Sequence, residues 1–271
     1  MQKLLEENRE TVRRVVTFYD RLASDYDRDY ERLSPAGFAL RTRRRKVLEL
    51  FDRAGGRVLD VGCGPGVLVA ALLDRECEVW GVDPSDNMLA IARDRFGADP
   101  RVHLLQGQAT HLQFADGVFD AVLCLGVMDS IPDGACAIAE MTRVLKPGGT
   151  LIVTVANLVS PYAWWKNYVY YPGIRWSHRL RAWIGDPTMT PDRIRSCPLR
   201  RLYSRAGARR LLESSGLQVT VVVPYFFNLF LSPLDELLPR TALRVLERLE
   251  DARGSRPDWF AAGWILKAVK P

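Results

Sequence analysis

The sequence has no run of roughly 18 or more uncharged apolar residues, the length that a membrane-spanning helix needs. Its opening, MQKLLEENRETVRR, is charged from Lys3 onward and lacks the apolar centre of a secretory leader. A cytoplasmic chain is therefore expected, with any membrane contact confined to its surface. Cysteine is sparse and unpatterned: Cys63, Cys77, Cys124, Cys136 and Cys197 are odd in number and include no C-x-x-C pair. That argues against a disulfide framework and against a thiolate zinc site. The three histidines, His103, His111 and His178, stand far apart, so no metal-ligand spacing is present and no metal is expected. Lysine occurs only at positions 3, 46, 146, 166, 267 and 270, which leaves arginine to carry most of the positive charge. Internal repeats and low-complexity tracts are also missing.

What is present is a chain of 271 residues, 48% hydrophobic and 26% charged, an ordinary composition for one large globular domain with embellishments. The net charge of +6 is unevenly placed. Residues 1–154 hold 20 basic and 23 acidic side chains, whereas Ala163 to Arg210 hold eleven basic and two acidic ones. Tyr162, Trp164, Trp165, Tyr168, Tyr170, Tyr171, Trp176 and Trp183 share that basic stretch. Positive charge is thus a property of one aromatic segment.

Apolar periodicity predicts helices over the first ~50 residues, with Val12, Val15, Val16, Tyr19 and Leu22 on one stripe and a second, arginine-rich segment from Phe38 to Phe51. Strand and helix patterns then alternate: strands at 57–61, 78–82, 102–105, 119–125 and 150–155, helices at 65–73, 85–96 and 133–145. A proline- and aromatic-rich insertion interrupts. The rhythm resumes with a helix at 204–215 and strands at 218–223 and 263–269. Alternation of this kind predicts an α/β fold, a Rossmann-like, doubly wound, seven-stranded, mostly parallel sheet covered by helices. The expected organisation is one domain over 1–271, with N-terminal helices at 1–55, a core at 56–156, cap insertions at 157–201 and 224–259, and closing core elements at 202–223 and 260–271.

The most informative run is Val58-Leu59-Asp60-Val61-Gly62-Cys63-Gly64-Pro65-Gly66. A buried strand ends there in a glycine turn at the C-terminal edge of the sheet, where open α/β folds bind ligands. The spacing is G-x-G-x-G, with Val67 in the slot where a dinucleotide fingerprint has its third glycine, so a ligand packing its body on the glycines is expected in place of a pyrophosphate. Asp83 ends the second strand about 20 residues on, where a carboxylate can accept from both hydroxyls of a ribose. Its alternative role as a helix cap is weakened by Ser85, which is better placed to cap the helix that follows.

Together with Tyr19-Asp20-Arg21-Leu22-Ala23-Ser24-Asp25-Tyr26-Asp27, the run Gly81-Val82-Asp83-Pro84-Ser85, Gly107-Gln108-Ala109 and Arg143-Val144-Leu145-Lys146-Pro147-Gly148-Gly149, this sequence resembles the class I S-adenosylmethionine-dependent methyltransferases, in particular the small-molecule "type 11" branch. The resemblance implies S-adenosyl-L-methionine as cofactor and S-adenosyl-L-homocysteine as product. It implies that Asp60, Gly62, Cys63, Gly64 and Gly66 surround the methionine part, that Asp83 holds the ribose, and that Pro84 and Met88 pack on the adenine. Gln108 stands where the family usually has an acidic residue, with Ala109 beside it; a glutamine carbonyl can accept the same hydrogen bond without the charge. Tyr19, Tyr26 and Leu125 complete the expected cofactor residues, and Arg41, from the Arg41-to-Arg45 cluster, is the expected partner of the cofactor carboxylate.

Methyl transfer asks mainly for alignment of donor and acceptor, with a base only for an acceptor that must lose a proton. Asp129, in the segment after the fourth strand, is the first candidate for that base or for a carboxylate that holds the acceptor. His178, in the insertion, is the second. The expected acceptor is a bulky small molecule, apolar or anionic and lipid-like, methylated on oxygen in preference to nitrogen or carbon, under a lid formed by the insertions. Part of that lid could rest on anionic lipid. Nucleic acid is the weaker reading, because the Asn/Asp-Pro-Pro-Tyr tetrapeptide of base-amino methyltransferases is replaced by Met128-Asp129-Ser130-Ile131. The alternatives carried forward are an RNA methyltransferase and a binding protein of this fold without catalysis; the oligomeric state is left open.

Overall fold

The computed structural model describes residues 2–170, 172–173, 176, 197, 199–227, 239–251 and 260–271. In chain order its elements are α1 (Gln2–Glu31), α2 (Pro35–Leu50), β1 (Arg57–Val61), α3 (Val69–Leu73), β2 (Glu78–Asp83), α4 (Asp86–Phe96), β3 (Val102–Gln106), β4 (Phe119–Cys124), α5 (Gly134–Val144), β5 (Leu145–Ala156), α6 (Pro161–Trp165), α7 (Arg205–Glu213), β6 (Gln218–Tyr225), α8 (Pro239–Asp251) and β7 (Gly263–Val269). The seven strands form one sheet in the order β3-β2-β1-β4-β5-β7-β6. Pairings from β3 across to β5 are parallel, and β7 runs antiparallel to both β5 and β6.

The central strands are apolar almost without interruption because successive side chains point to opposite faces and both faces are covered. Leu59, Val61, Val122, Leu151 and Val153 meet Ile138 and Met141 of α5 and Leu212 of α7 on one side. Val58, Val79, Leu123, Ile152 and Ile265 meet Val47 of α2, Leu72 of α3 and Leu246 of α8 on the other. Each such side chain, buried completely, contributes roughly 1.5–3 kcal/mol relative to exposure. The reversal between β1 and β2 relative to β1 and β4 leaves a crevice at the carboxyl ends of these strands, the usual ligand position in open α/β sheets.

Helix starts follow local chemistry. Ser34, Ser85, Asp133 and Ser204 cap α2, α4, α5 and α7 by accepting from the amides of Gly37, Met88, Cys136 and Gly207. The helix expected from Pro65 begins later, at Val69. The intervening residues are spent on turns, with Gly66 N donating to Cys63 O at 3.0 Å and Val69 N to Gly66 O at 3.1 Å. β5 in turn begins earlier than its apolar pattern suggests, at Leu145, reaching back through Lys146-Pro147-Gly148-Gly149. Among the described residues no helix is long and apolar enough to cross a membrane.

Two anchors tie the added segments to this frame. Lys46 of α2 forms an ion pair with Glu250 of α8 at 2.5 Å and donates to Pro224 O at 3.0 Å, with the Glu250 side chain only 2% exposed. Tyr162 of α6 is buried edge-on against Phe226, with ring centroids 5.7 Å apart.

Candidate active site

The site is built outward from the end of β1. Gly62 takes φ +72° and Gly64 φ +54°, conformations that a side chain disfavours. The amides of Gly62 and Cys63 both donate to Val82 O, at 2.6 and 3.2 Å, which pins the turn to the end of β2. A methyl group on Gly62 would stand 2.1 Å from Val127 Cγ2, whereas one on Gly64 would meet nothing within 4 Å. The first glycine is therefore required by packing, and the second presents bare backbone to open space.

Asp83 closes the other side of the turn. Its Oδ2 accepts from Gly64 N and its Oδ1 from Ser85 N, both at 2.9 Å. Each oxygen retains a second lone pair for an incoming hydroxyl. Burial raises this carboxyl's pKa, and the two amides partly offset that effect. Ser85, besides capping α4, donates its hydroxyl to Asp20 Oδ1 at 2.5 Å and so ties α1 to the site.

Between these elements lies an open-mouthed cavity of about 880 Å³ counted together with the solvent at its mouth. Gly62, Gly64, Leu125, Asp83, Pro84 and Met88 line it. Gln108 and Ala109 stand at the rim, and Tyr19 and Tyr26 come down from α1 with Val12, Val15 and Val16. The apolar stripe of α1 thus roofs the cavity. Val127, Ser130 and Ile131 reach it from the segment after β4.

Four expected cofactor residues do not line the cavity. Gly66 packs under the Phe96 ring, where a methyl group would approach to 2.9 Å. Cys63 turns toward Gly81 behind the loop, and burial pushes its thiol pKa well up, which suits a filler and not a nucleophile. Asp60 is 1% exposed, its Oδ2 has no partner, and burial, reinforced by Asp83, raises its pKa to about 7. Arg41 donates to the carbonyls of Tyr30 and Arg32, on an outer hollow shared with Arg44, Arg45 and Arg75.

The arginine that turns inward is Arg43. Two residues apart on a helix are about 200° apart in direction, so Arg41 and Arg43 take opposite faces of α2. The Nη1 of Arg43 lies 2.4 Å from where a Gly126 side chain would begin, which explains the bare glycine at φ +69° there. Hydroxyls of Tyr30 and Tyr225 accept from the guanidinium. Its Nε is buried with no partner. Burial opposes its charge, but the surrounding tyrosines Tyr30, Tyr225 and Tyr26 outweigh that and raise its pKa.

Of the two catalytic candidates, His178 lies outside the described residues, as do most of the residues of the two expected cap insertions. Asp129 is described. Its Oδ1 accepts from Ala156 N at 2.8 Å and its carbonyl from Arg201 N at 2.7 Å, so it clasps the ends of β4 and β5 to the segment before α7. Burial raises its pKa. Its neighbour Ser130 is the polar group on the cavity wall, 3.4 Å from the Tyr19 hydroxyl and 3.4 Å from Cys197 Sγ. Burial, with Cys197 next, lifts the Tyr19 pKa to about 12, so its hydroxyl keeps its proton at neutral pH.

Comparisons with known proteins agree with this geometry. Residues 59–153 match the family model described as a methyltransferase domain. The chain is 32% identical over 151 residues to a demethylmenaquinone methyltransferase of Staphylococcus haemolyticus, covering 55% of this chain and 63% of that protein. It is 34% identical over 148 residues to the protein of the same name from Staphylococcus aureus strain JH9, covering 54% and 60%. It therefore spans less than two thirds of the curated relatives' length. A Thermotoga maritima structure described as an S-adenosylmethionine-dependent methyltransferase, possibly acting on histamine, superposes with a TM-score of 0.61 at 21% identity, over 94% of this chain and 99% of that one. A Haemonchus contortus phosphoethanolamine N-methyltransferase solved with S-adenosyl-L-methionine gives 0.60 at 22%, over 93% and 57%. At such identities the structures establish the fold.

Proposed function

We propose that this chain, whose core has the class I S-adenosylmethionine-dependent methyltransferase fold, transfers a methyl group from that cofactor to an apolar, quinone- or lipid-like small molecule, with a hydroxyl oxygen as the favoured acceptor atom. The observation that carries the reading is the Asp83 carboxylate, buried beside the amide of Gly64 at the edge of an apolar cavity. The relatives named for a quinone support the acceptor class.

The residues present fit the cofactor. Asp83 would accept from the ribose hydroxyls, Pro84 and Met88 would pack on the adenine, and Gln108 would accept at its rim. Two buried polar groups of opposite sign, Asp60 Oδ2 and Arg43 Nε, lack partners. An ammonium and a carboxylate on one amino-acid end would satisfy both, and burial without such partners is costly. When bound, the cofactor supplies an electrophilic methyl group on a sulfonium. The chain's own part is to hold the two reactants in line and keep water out, which the valines of α1 do by roofing the cavity; such orientation can supply ~7–11 kcal/mol. Asp129, anchored by the Ala156 amide, is the first proposed base or acceptor-holding carboxylate for a hydroxyl acceptor, and His178 is the second. The acceptor itself would lie against Val127, Ser130 and Ile131, where apolar wall and two hydroxyls, those of Tyr19 and Ser130, meet.

Calorimetric titration with S-adenosylhomocysteine tests the core of the proposal: a saturable one-site heat is expected, and its absence would overturn it. Asp129→Asn should lower turnover on a quinol acceptor while leaving cofactor affinity within about twofold, since an amide can still accept from Ala156 N. Carbon NMR of the product, by the methoxy shift of the new methyl group, reads whether oxygen is the methylated atom.

A further inference from the structure

The first part of the insertion after β5 has an anchored side and a bare side. Asn157 and Ser160 are fully buried, Asn157 Nδ2 donates to Ala261 O at 2.8 Å, and Trp164 N donates to Ser160 O at 2.9 Å. Tyr162 is locked on Phe226. Yet Leu158 and Val159 are 51% and 54% exposed, and Trp164, Tyr168, Val169 and Trp176 are 56%, 63%, 37% and 68% exposed. The rings of Trp164 and Tyr168 lie 5.9 Å apart, so part of this surface is preassembled. Single exposed apolar residues are ordinary; six large ones along 19 residues of chain, on a firmly held base, mark a contact surface.

We propose that residues 158–176 dock the protein on an anionic lipid bilayer. Three properties select that occupant. The exposed groups include two tryptophans and a tyrosine, whose rings have an apolar body and a polar edge and concentrate at the bilayer–water boundary. The same stretch of chain begins the Ala163-to-Arg210 segment with its eleven basic and two acidic residues, which complements anionic headgroups. Most of those charges are guanidinium groups, suited to bidentate contact with phosphate. A nucleic acid would use the arginines and leave the aliphatic side chains in water, and an apolar protein partner would use the aromatics and leave the charge excess unanswered. A bilayer of anionic lipid engages both.

The inference goes beyond methyl transfer and can be tested apart from it. Wild type and the variant Trp164→Ser/Tyr168→Ser/Trp176→Ser are sedimented with vesicles of phosphatidylcholine alone and of phosphatidylcholine with an equal part of phosphatidylglycerol. Wild type should bind the anionic vesicles, more weakly as salt rises, and the triple variant should lose about tenfold or more. The three side chains are each more than half exposed, so the fold should survive. S-adenosylhomocysteine titration of both proteins reads the cofactor site separately, so loss of that heat would fault the enzyme reading and leave this one standing. As a measurement without any variant, the tryptophan emission of wild type should shift to the blue on anionic vesicles alone. Equal binding to the two vesicle types, or undiminished binding by the variant, would overturn the proposal. So would release of the bound wild type by RNA together with an unshifted emission.

Discussion

The glycine turn and the described start of the insertion after β5 present opposite kinds of surface. The turn works with backbone: the amide of Gly64 donates to Asp83, those of Gly62 and Cys63 donate to Val82, and the exposed surface at Gly64 is bare main chain. The described start of the insertion presents side chains, aromatic and aliphatic, on a base set by Asn157, Ser160 and Tyr162. Backbone recognition needs particular φ values and close approaches, so it fixes residue types, as the 2.1 Å approach to Gly62 illustrates. Side-chain recognition by apolar bulk and charge tolerates many sequences. One region is therefore fixed in residue type, and the other is free to vary.

If the two regions are separable in this way, damage to one should spare the other, and the largest expected effect falls outside both, on the ion pair that anchors α8 to α2. Lys46→Met removes the partner of Glu250, whose side chain is almost fully buried. An unpaired buried charge of this kind typically costs about 3–5 kcal/mol. Denaturant unfolding should register that loss, while the cofactor affinity of the folded fraction stays near wild type. A proportional loss of affinity would show this anchor to be part of the cofactor site. Next in size is Asp83→Ala, which removes the acceptor of two backbone amides and of the proposed ribose hydrogen bonds. About 2–3 kcal/mol of cofactor affinity, near a hundredfold, should disappear in calorimetry, with vesicle binding unchanged.

The same contrast explains what could be read from the sequence. The seven-stranded sheet and the cap at Ser85 follow from alternating apolar runs and a helix-start signal, whereas the resemblance, more than the pattern, points to Pro84 and Met88; both of these line the cavity with Gly62, Gly64 and Asp83. Arg43 did not stand out from Arg41 because both lie in one arginine-rich run on a helix with a weak apolar stripe. Only the packing of α2 against Gly126 and Tyr225 decides which side faces in. Gly126 at φ +69° was the available signal, since a glycine after a strand often marks another group's close approach. Asp129 was legible as a residue of the site's edge, but its bond to Ala156 N depends on the register of β4 with β5, which local sequence does not specify.

Arg43 and Arg41 therefore make a matched pair for the next prediction. Arg43→Met should weaken S-adenosylhomocysteine binding by about 1.5–2 kcal/mol, the range for a hydrogen bond to a charged group, and Arg41→Met should change it by less than about 0.5 kcal/mol. Calorimetry on the two variants, normalised to folded protein, distinguishes an inward anchor from a surface helix face. Equal effects would return both arginines to a general electrostatic role.

The smallest expected effect is a pH dependence confined to the glycine-turn side. Burial, with Asp83 second, raises the Asp60 pKa to about 7, above its ordinary value of 3.8. Because the folded state then holds a proton that the unfolded state releases first, this group's stabilising contribution is present below pH 3.8 and is lost as pH rises from there through about 7. An ammonium group brought close to Asp60 reverses the preference, favouring the carboxylate and expelling the proton. Cofactor affinity should therefore climb as pH rises from 6 toward 8 and level off above the Asp60 pKa of about 7, by less than about tenfold in all. Asp60→Asn should flatten that profile, and titrations in buffers of different ionisation enthalpy should register fractional proton release in the wild type alone. Vesicle binding should not share the profile, since arginine keeps its charge over the whole range; a common pH dependence would mean that the two regions are coupled through the cavity and do not act independently.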